Sequence, residues 1–208
     1  TDFGDFAKGI IFMPEPRVSG TLNKLNVKAN INSFAGRLRA ELQLRNLLKR
    51  RSQLGISGTV ETERLDIGKI ANIPYINELS MTAGLETSFG KGKPFQCKID
   101  SLNIDRLGLF GYNYTGIAST LKYNGYDCDA RIICNDPSLN FLFQGSFVTS
   151  QKTGNTAYQF YANLGNADLN SMNLDKRGRS RIRLTANANF THRKEGDILG
   201  RIDLGDIV

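Results

Sequence analysis

The chain has 208 residues, 40% of them hydrophobic and 23% charged, enough to bury a sizeable core as one domain or to build one elongated element. No run approaches the roughly 18 apolar residues of a membrane helix, which excludes a helical span, and three cysteines make no disulfide framework and fit no zinc motif. The net charge of +7 allows an acidic partner and names none.

Residues 1–19 show no sustained period and are expected to be irregular or to pair at a sheet edge. From there, strict alternation dominates, the pattern of strands buried on one side only. Leu25, Val27, Ala29 and Ile31 alternate with Asn26, Lys28 and Asn30, and Leu38, Ala40, Leu42 and Leu44 alternate with Arg37, Arg39, Glu41, Gln43 and Arg45. A third strand carries Leu54, Ile56 and Val60. The stretch from Leu65 (LDIGKIANI) is a candidate for one or two helical turns. Leu79, Met81, Ala83 and Leu85 follow on one strand, then Phe95, Cys97 and Ile99 on the next.

Asn124-Gly125 predicts a two-residue type I′ hairpin turn, with Leu121 opposite Cys128 and Ile117 opposite Ile132. Opposed residues share a face, so the apolar positions of the two strands agree. Cys128 and Cys134 fall on one face about 20 Å apart, too far to pair, and read as small core residues. Leu139, Phe141, Phe143 and Phe147 share a face, as do Tyr158, Phe160, Ala162 and Leu164. The stretch around Asp168 (ADLNSMNL) is the second short helix candidate. Ile182, Leu184, Ala186, Ala188 and Phe190, then Ile198, Ile202 and Leu204, complete the series. Turns are expected at Gly90 to Pro94, Asn135 to Pro137 and Ser150 to Asn155.

Two short helices cannot cover a sheet of this many strands. Exposed apolar side chains cost roughly 1.5–3 kcal/mol each relative to burial, so the sheet must cover itself as a sandwich, a barrel or an elongated curl. The expectation is an all-β fold over residues 1–208: one elongated, curved antiparallel sheet folded on itself like a clam, with one or two very short helices. A loose repeat supports an array of similar hairpins: Leu65-Asp66-Ile67-Gly68, Leu102-Asn103-Ile104, Asp168-Leu169-Asn170 and Ile202-Asp203-Leu204-Gly205 each place a small polar residue beside aliphatics at a strand's end. Starting at Thr1 without a signal-peptide pattern, the chain is expected to be a piece of a longer protein.

No catalytic constellation emerges. His192 stands alone beside Arg193, Lys194 and Glu195, and no Gly-rich phosphate loop, HExxH, GxSxG or Asp-rich cluster is present. Asp127 and Asp129 share an outward face with Arg131, which reads as a surface ion pair. No enzyme activity, cofactor or metal is expected. Basic residues gather at Arg37, Arg39, Arg45, Lys49, Arg50 and Arg51, and again at Lys176, Arg177, Arg179, Arg181 and Arg183, where a solvated outer face explains them as well as a ligand does. A basic platform for nucleic acid would need aromatics among those cations, yet Phe141, Phe143, Phe147 and Phe160 fall on the apolar face.

In combination these residues resemble the AsmA-like superfamily, and most closely the TamB (translocation and assembly module) proteins of Bacteroidetes-type Gram-negative bacteria. A strand with Gly58-Thr59-Val60 leads to Leu65-Asp66-Ile67-Gly68-Lys69-Ile70, like the family's LDIG turn. Ser101 to Phe147 looks like its repeating unit: an LNI strand end, a Gly-Tyr-x-Tyr-x-Gly link from Gly111 to Gly116, a hairpin, an NDP turn and a strand ending FQGSF. Ala167-Asp168-Leu169 to Leu174, then Leu184-Thr185-Ala186-Asn187, continue the pattern, and the resemblance covers most of the chain from about residue 20 onward.

The resemblance implies a periplasmic protein anchored to the inner membrane by a segment outside this chain, with a taco-like apolar groove. It implies a part in outer-membrane biogenesis, through phospholipid transport between membranes or outer-membrane protein assembly. Implied partners are phospholipid or another lipid, other segments of the same long chain, and a barrel assembly partner reached through regions not present here. Groove candidates are Val27, Ala29, Ile31, Leu38, Leu42, Ile56, Val60, Met81, Leu85, Ile117, Leu121, Ile132, Leu139, Phe141, Phe143, Phe160, Leu184 and Ala186. Arg50, Arg51, Lys176, Arg177 and Arg179 are candidate headgroup contacts. A ligand-free scaffold or spacer, and a basic surface for nucleic acid or glycan, stand as alternatives.

Overall fold

A computed structural model describes residues 13–14, 16–47 and 53–207. Its strands are β1 (Met13–Pro14), β2 (Arg17–Thr21), β3 (Lys24–Ser33), β4 (Gly36–Arg45), β5 (Leu54–Asp66), β6 (Ile76–Gly90), β7 (Lys93–Leu109), β8 (Tyr112–Tyr114), β9 (Ile117–Tyr123), β10 (Asp127–Asp136), β11 (Leu139–Thr149), β12 (Thr156–Asp168), β13 (Arg181–His192) and β14 (Ile198–Gly205). One helix, α1 (Ile67–Ala71), lies between β5 and β6. All 14 strands form one antiparallel sheet, curved and open, in which neighbours in sequence are neighbours in space. β1 and β2 follow one another along β3 as an interrupted edge strand, and β8 and β9 follow one another along β7 inside the sheet, where β9 also pairs with β10. The expected fold class is thus observed, with one very short helix.

Alternation alone does not keep apolar residues on one face over strands of up to 17 residues. Bulges restore it. β7 skips Asp100 between Ile99 and Ser101 and Asp105 between Ile104 and Arg106. β5 skips Glu63 and Arg64 between Thr62 and Leu65, and β12 skips Gly165 and Asn166 between Leu164 and Ala167 in its pairing with β13. Each extra residue bends its strand and re-aims the side chains beyond it. Leu102, Leu65 and Ala167 therefore return to the apolar side. At Arg64 the backbone turns to φ 49°, and its N–H is received by Ser80 Oγ at 2.9 Å.

The hairpin between β9 and β10 turns one residue later than predicted. Asn124 occupies the corner, its Oδ1 accepting from the N–H groups of Tyr126 (3.0 Å) and Asp127 (2.8 Å). Gly125 and Tyr126 are the loop residues, with Gly125 at φ 97°. Tyr123, not Leu121, lies opposite Cys128; Leu121 faces Ala130, and Ile117 faces Cys134. A slip of two positions preserves which face each side chain takes. Asp127 is engaged by Asn124 Nδ2 at 3.0 Å, and Asp129 lies opposite Lys122. Among the described residues no ion pair joins either aspartate to Arg131.

Leu65-Asp66 ends β5 and Ile67-Gly68 opens α1, the short helix expected there: Asp66 Oδ1 caps it by accepting from the Lys69 N–H at 2.9 Å, and left-handed Asn72 closes it. Asp168 accepts from the Ser171 N–H at 3.0 Å in the same way. Here left-handed Asn173 (φ 60°) ends the coil after a single turn, so the second helix candidate is a turn. That turn drops Met172 against Tyr114 and Ala167, with Leu107, Ile117, Leu139 and Leu164 around them. This small core sits at the rim shared by α1 and the connection from β12 to β13. Leu102-Asn103-Ile104 lies in the middle of β7, between its two bulges, and not at a strand end.

Candidate functional site

Directly opposed residues in antiparallel strands point to the same face, so the pairings trace continuous rows across the sheet. The first runs Ile31, Leu38, Thr62, Met81, Ile104, Ile117, Cys134, Phe141, Leu164, Leu184. The second runs Ala29, Ala40, Val60, Ala83, Leu102, Ser119, Ile132, Phe143, Ala162, Ala186, Leu204, with the last pairing to β14. Val27, Leu42, Gly58, Leu85, Ile99, Leu121, Ala130, Gly145, Phe160, Ala188 and Ile202 make the third. Leu25, Leu44, Ile56, Thr87, Cys97, Tyr123, Cys128, Phe147, Tyr158, Phe190 and Gly200 make the fourth.

Not one of these positions carries a charge. Every groove candidate except Leu139 stands in one of the four rows, and Leu139 packs against the rim core. Three of the five hydroxyls in the rows are engaged locally: Thr62 Oγ1 donates to Leu79 O at 3.0 Å, Thr87 Oγ1 to Gln96 O at 2.9 Å, and Tyr123 Oη to Gly125 O at 3.2 Å.

Coverage of this face is partial. Among the described residues the buried apolar side chains are Ala35, Ala83, Tyr114, Cys134, Ala167, Met172 and Ala188; in the rows that leaves two alanines and a cysteine overhung by larger neighbours. The bulky row members between β3 and β13 are half-buried. At β14, Ile202 and Leu204 are each 59% exposed. Cys134 behaves as the small core residue expected, its thiol pushed up by burial.

One feature of this face goes beyond the individual strand patterns. Rings of Phe95, Tyr123, Phe147, Tyr158 and Phe190 follow one another at centroid distances of 6.2, 6.2, 5.9 and 4.9 Å, and Phe160 and Phe143 extend the series at 6.3 and 6.1 Å. These spacings lie within the range of attractive ring pairs. The β7–β13 half of the face is therefore aromatic, while the β3–β6 half is built mainly from aliphatic side chains. The period-two aromatics of β11, β12 and β13 carried that signal, but only the register joins them.

The opposite face is polar and, over β3–β6, paired with itself. Lys28 meets Glu41 at 3.0 Å, Arg37 meets Glu63 at 2.9 Å, Arg39 meets Glu61 at 3.3 Å and Arg45 meets Glu86 at 2.8 Å. Three members of the first basic cluster are thus accounted for by solvated ion pairs; Lys49, Arg50 and Arg51 lie outside the described residues. Lys176, Arg177 and Arg179 all lie in the β12–β13 connection at the rim. Arg177 is held by Asp175 at 3.0 Å, and its guanidinium brings that carboxyl down to about 2. Lys176 and Arg179 are exposed and in no ion pair among the described residues.

No group of three or more His, Cys, Asp or Glu side chains among the described residues could hold a metal ion. The arrangement offers an uncharged, half-open surface with cations at one rim, suited to holding apolar chains. No family model, curated protein or solved structure matches the chain.

Proposed function

We propose that the inward face is an apolar groove for lipid acyl chains, in a non-catalytic periplasmic segment of a protein of the TamB and AsmA-like kind. Its role in outer-membrane biogenesis would be phospholipid transport between the membranes, assistance to outer-membrane protein assembly, or both. The observation that supports this best is the set of four rows without a charge, only half covered, three of them continuous from β3 to β14 and the first from β3 to β13. At about 4.8 Å per strand the three run for about 48 Å, longer than the roughly 30 Å hydrocarbon core of a bilayer. Each methylene seated there is worth about 0.8 kcal/mol, and headgroups would remain at the rim beside Lys176 and Arg179. Further segments of the same chain would extend the groove, and a barrel partner would be met through regions outside it.

A ligand-free scaffold draws on the dry packing of Tyr114, Ala167 and Met172, which covers one rim only. Photocrosslinking amino acids separate the two readings. Placed at Ile132, Phe141 or Phe160 in cells, they are expected to capture lipid; at Arg131, Asn140 or Tyr161, on the other face, they are not. Equal labelling of the two faces, or none on either, overturns the groove.

A further inference from the structure

We propose that the outward face of β10–β13 carries a binding site for a neutral oligosaccharide of pyranose rings, centred on Tyr161. This site lies on the other side of the sheet from the apolar groove, although Gly145 and Phe160 of the third row also contribute to its lining. A cavity of about 550 Å³ opens there, and Tyr161 in its wall is 39% exposed. Gln144 and Asn187 stand opposite Tyr161 on the two neighbouring strands. In the adjacent row Asp129 faces Ser146, and Ser146 faces Gln159. All six residues line the cavity.

These side chains are left unused by the fold. Cross-strand side-chain bonds tie together the outward face of β3–β6, as in Lys28 to Glu41 at 3.0 Å and Gln43 to Asn26 at 3.1 Å. In the cavity, Asp129, Gln144, Ser146, Gln159, Tyr161 and Asn187 make no side-chain hydrogen bond among the described residues. Three carboxamides offer paired donors and acceptors, and the carboxylate and hydroxyl add acceptors and a donor. Neighbouring sugar hydroxyls are matched by such pairs, because each hydroxyl both donates and accepts. The exposed phenol ring supplies a flat apolar surface with a polar tip, on which the C–H face of a pyranose can lie.

The ligand's charge follows from the lining. It holds one carboxylate and no cation, so a phosphate backbone would meet repulsion where nucleic-acid sites place Lys and Arg. A neutral glycan meets no repulsion, and its hydroxyls can donate to the Asp129 carboxylate.

Calorimetric titration of the chain with chitotetraose, maltotetraose and cellotetraose tests the site. At least one is expected to bind saturably at millimolar concentration or below, with little dependence on salt. Tyr161→Ala is expected to weaken that binding about tenfold, the upper end of what one ring contact supplies. Tyr161→Phe, which keeps the ring, should stay within about threefold, as should Thr59→Ala on the outward face of β5. Retained strand content by circular dichroism establishes that Tyr161→Ala is folded. No saturable binding by any of the three sugars, binding that Tyr161→Ala leaves unchanged, or binding that weakens steeply with salt overturns the proposal.

Discussion

Asp136 is 5% exposed, with no cation in ion-pair reach among the described residues. Its carboxylate accepts from the Tyr112 hydroxyl, the Thr115 N–H (2.9 Å) and hydroxyl (3.0 Å), and the Ser138 N–H (2.8 Å). Burial pushes this carboxyl up, and the hydrogen bonds from Tyr112, Ser138 and Thr115 more than offset it, leaving it below its ordinary value. A folded value below the unfolded one, about 3.9, means stability that is fully present above about pH 5 and lost as pH falls through the folded value. Asp136→Asn would aim an amide N–H₂ at donors that need an acceptor, at an expected cost of about 1–3 kcal/mol. Urea midpoints across pH should show the gap between wild type and variant widest near neutrality and narrowing below about pH 4. An equal gap at every pH would mean the carboxylate's charge is not what holds the rim. Nothing in the Asn135-Asp136-Pro137 motif reveals this beyond a turn, because Tyr112 is 24 residues away.

Strands were legible because alternation is a local signal, and each predicted apolar series does take one face. Bulges were not. From Ile99 to Leu102, and from Leu164 to Ala167, the period breaks and reads as the end of a strand, while the pairings carry on through. The hairpin shows the same limit in turn chemistry. Asparagine suits both the first central position of a type I′ turn and the corner where its side chain receives two N–H groups, and only the second holds here. Gly125 then carries the steric demand. It sits at φ 97°, and an added Cβ would run into the Pro94 Cβ. Gly92 is also left-handed (φ 72°) but would have nothing within 4 Å. Gly92→Ala should therefore cost only the backbone term, about 1–2 kcal/mol. Gly125→Ala should cost more, about 2–4 kcal/mol once the clash is added. Urea unfolding of the two variants side by side checks the order; equal costs would remove the contact with Pro94 from the account.

At the scale of the molecule, the sequence showed an apolar face with no helices to cover it, and self-coverage followed as an expectation. How far that coverage goes depends on curvature and register, which no single strand encodes. The answer is uneven: dry at the rim around Met172, which is 2% exposed, and half-open along the rows. This unevenness separates a lipid groove from a scaffold by stability alone. In a dry core, truncation of a large side chain leaves a cavity and costs 2–5 kcal/mol. On a half-open face there is less lost burial and no closed void, so the cost falls to about 1 kcal/mol. Met172→Ala is expected in the first class, Leu85→Ala and Phe143→Ala in the second. Phospholipid micelles should then raise the unfolding midpoint of the wild type, since a ligand that binds only the folded chain stabilises it, and raise it less for Phe143→Ala. If Leu85→Ala and Phe143→Ala cost as much as Met172→Ala and lipid shifts nothing, the rows are a packed core, and the face is a scaffold without a ligand.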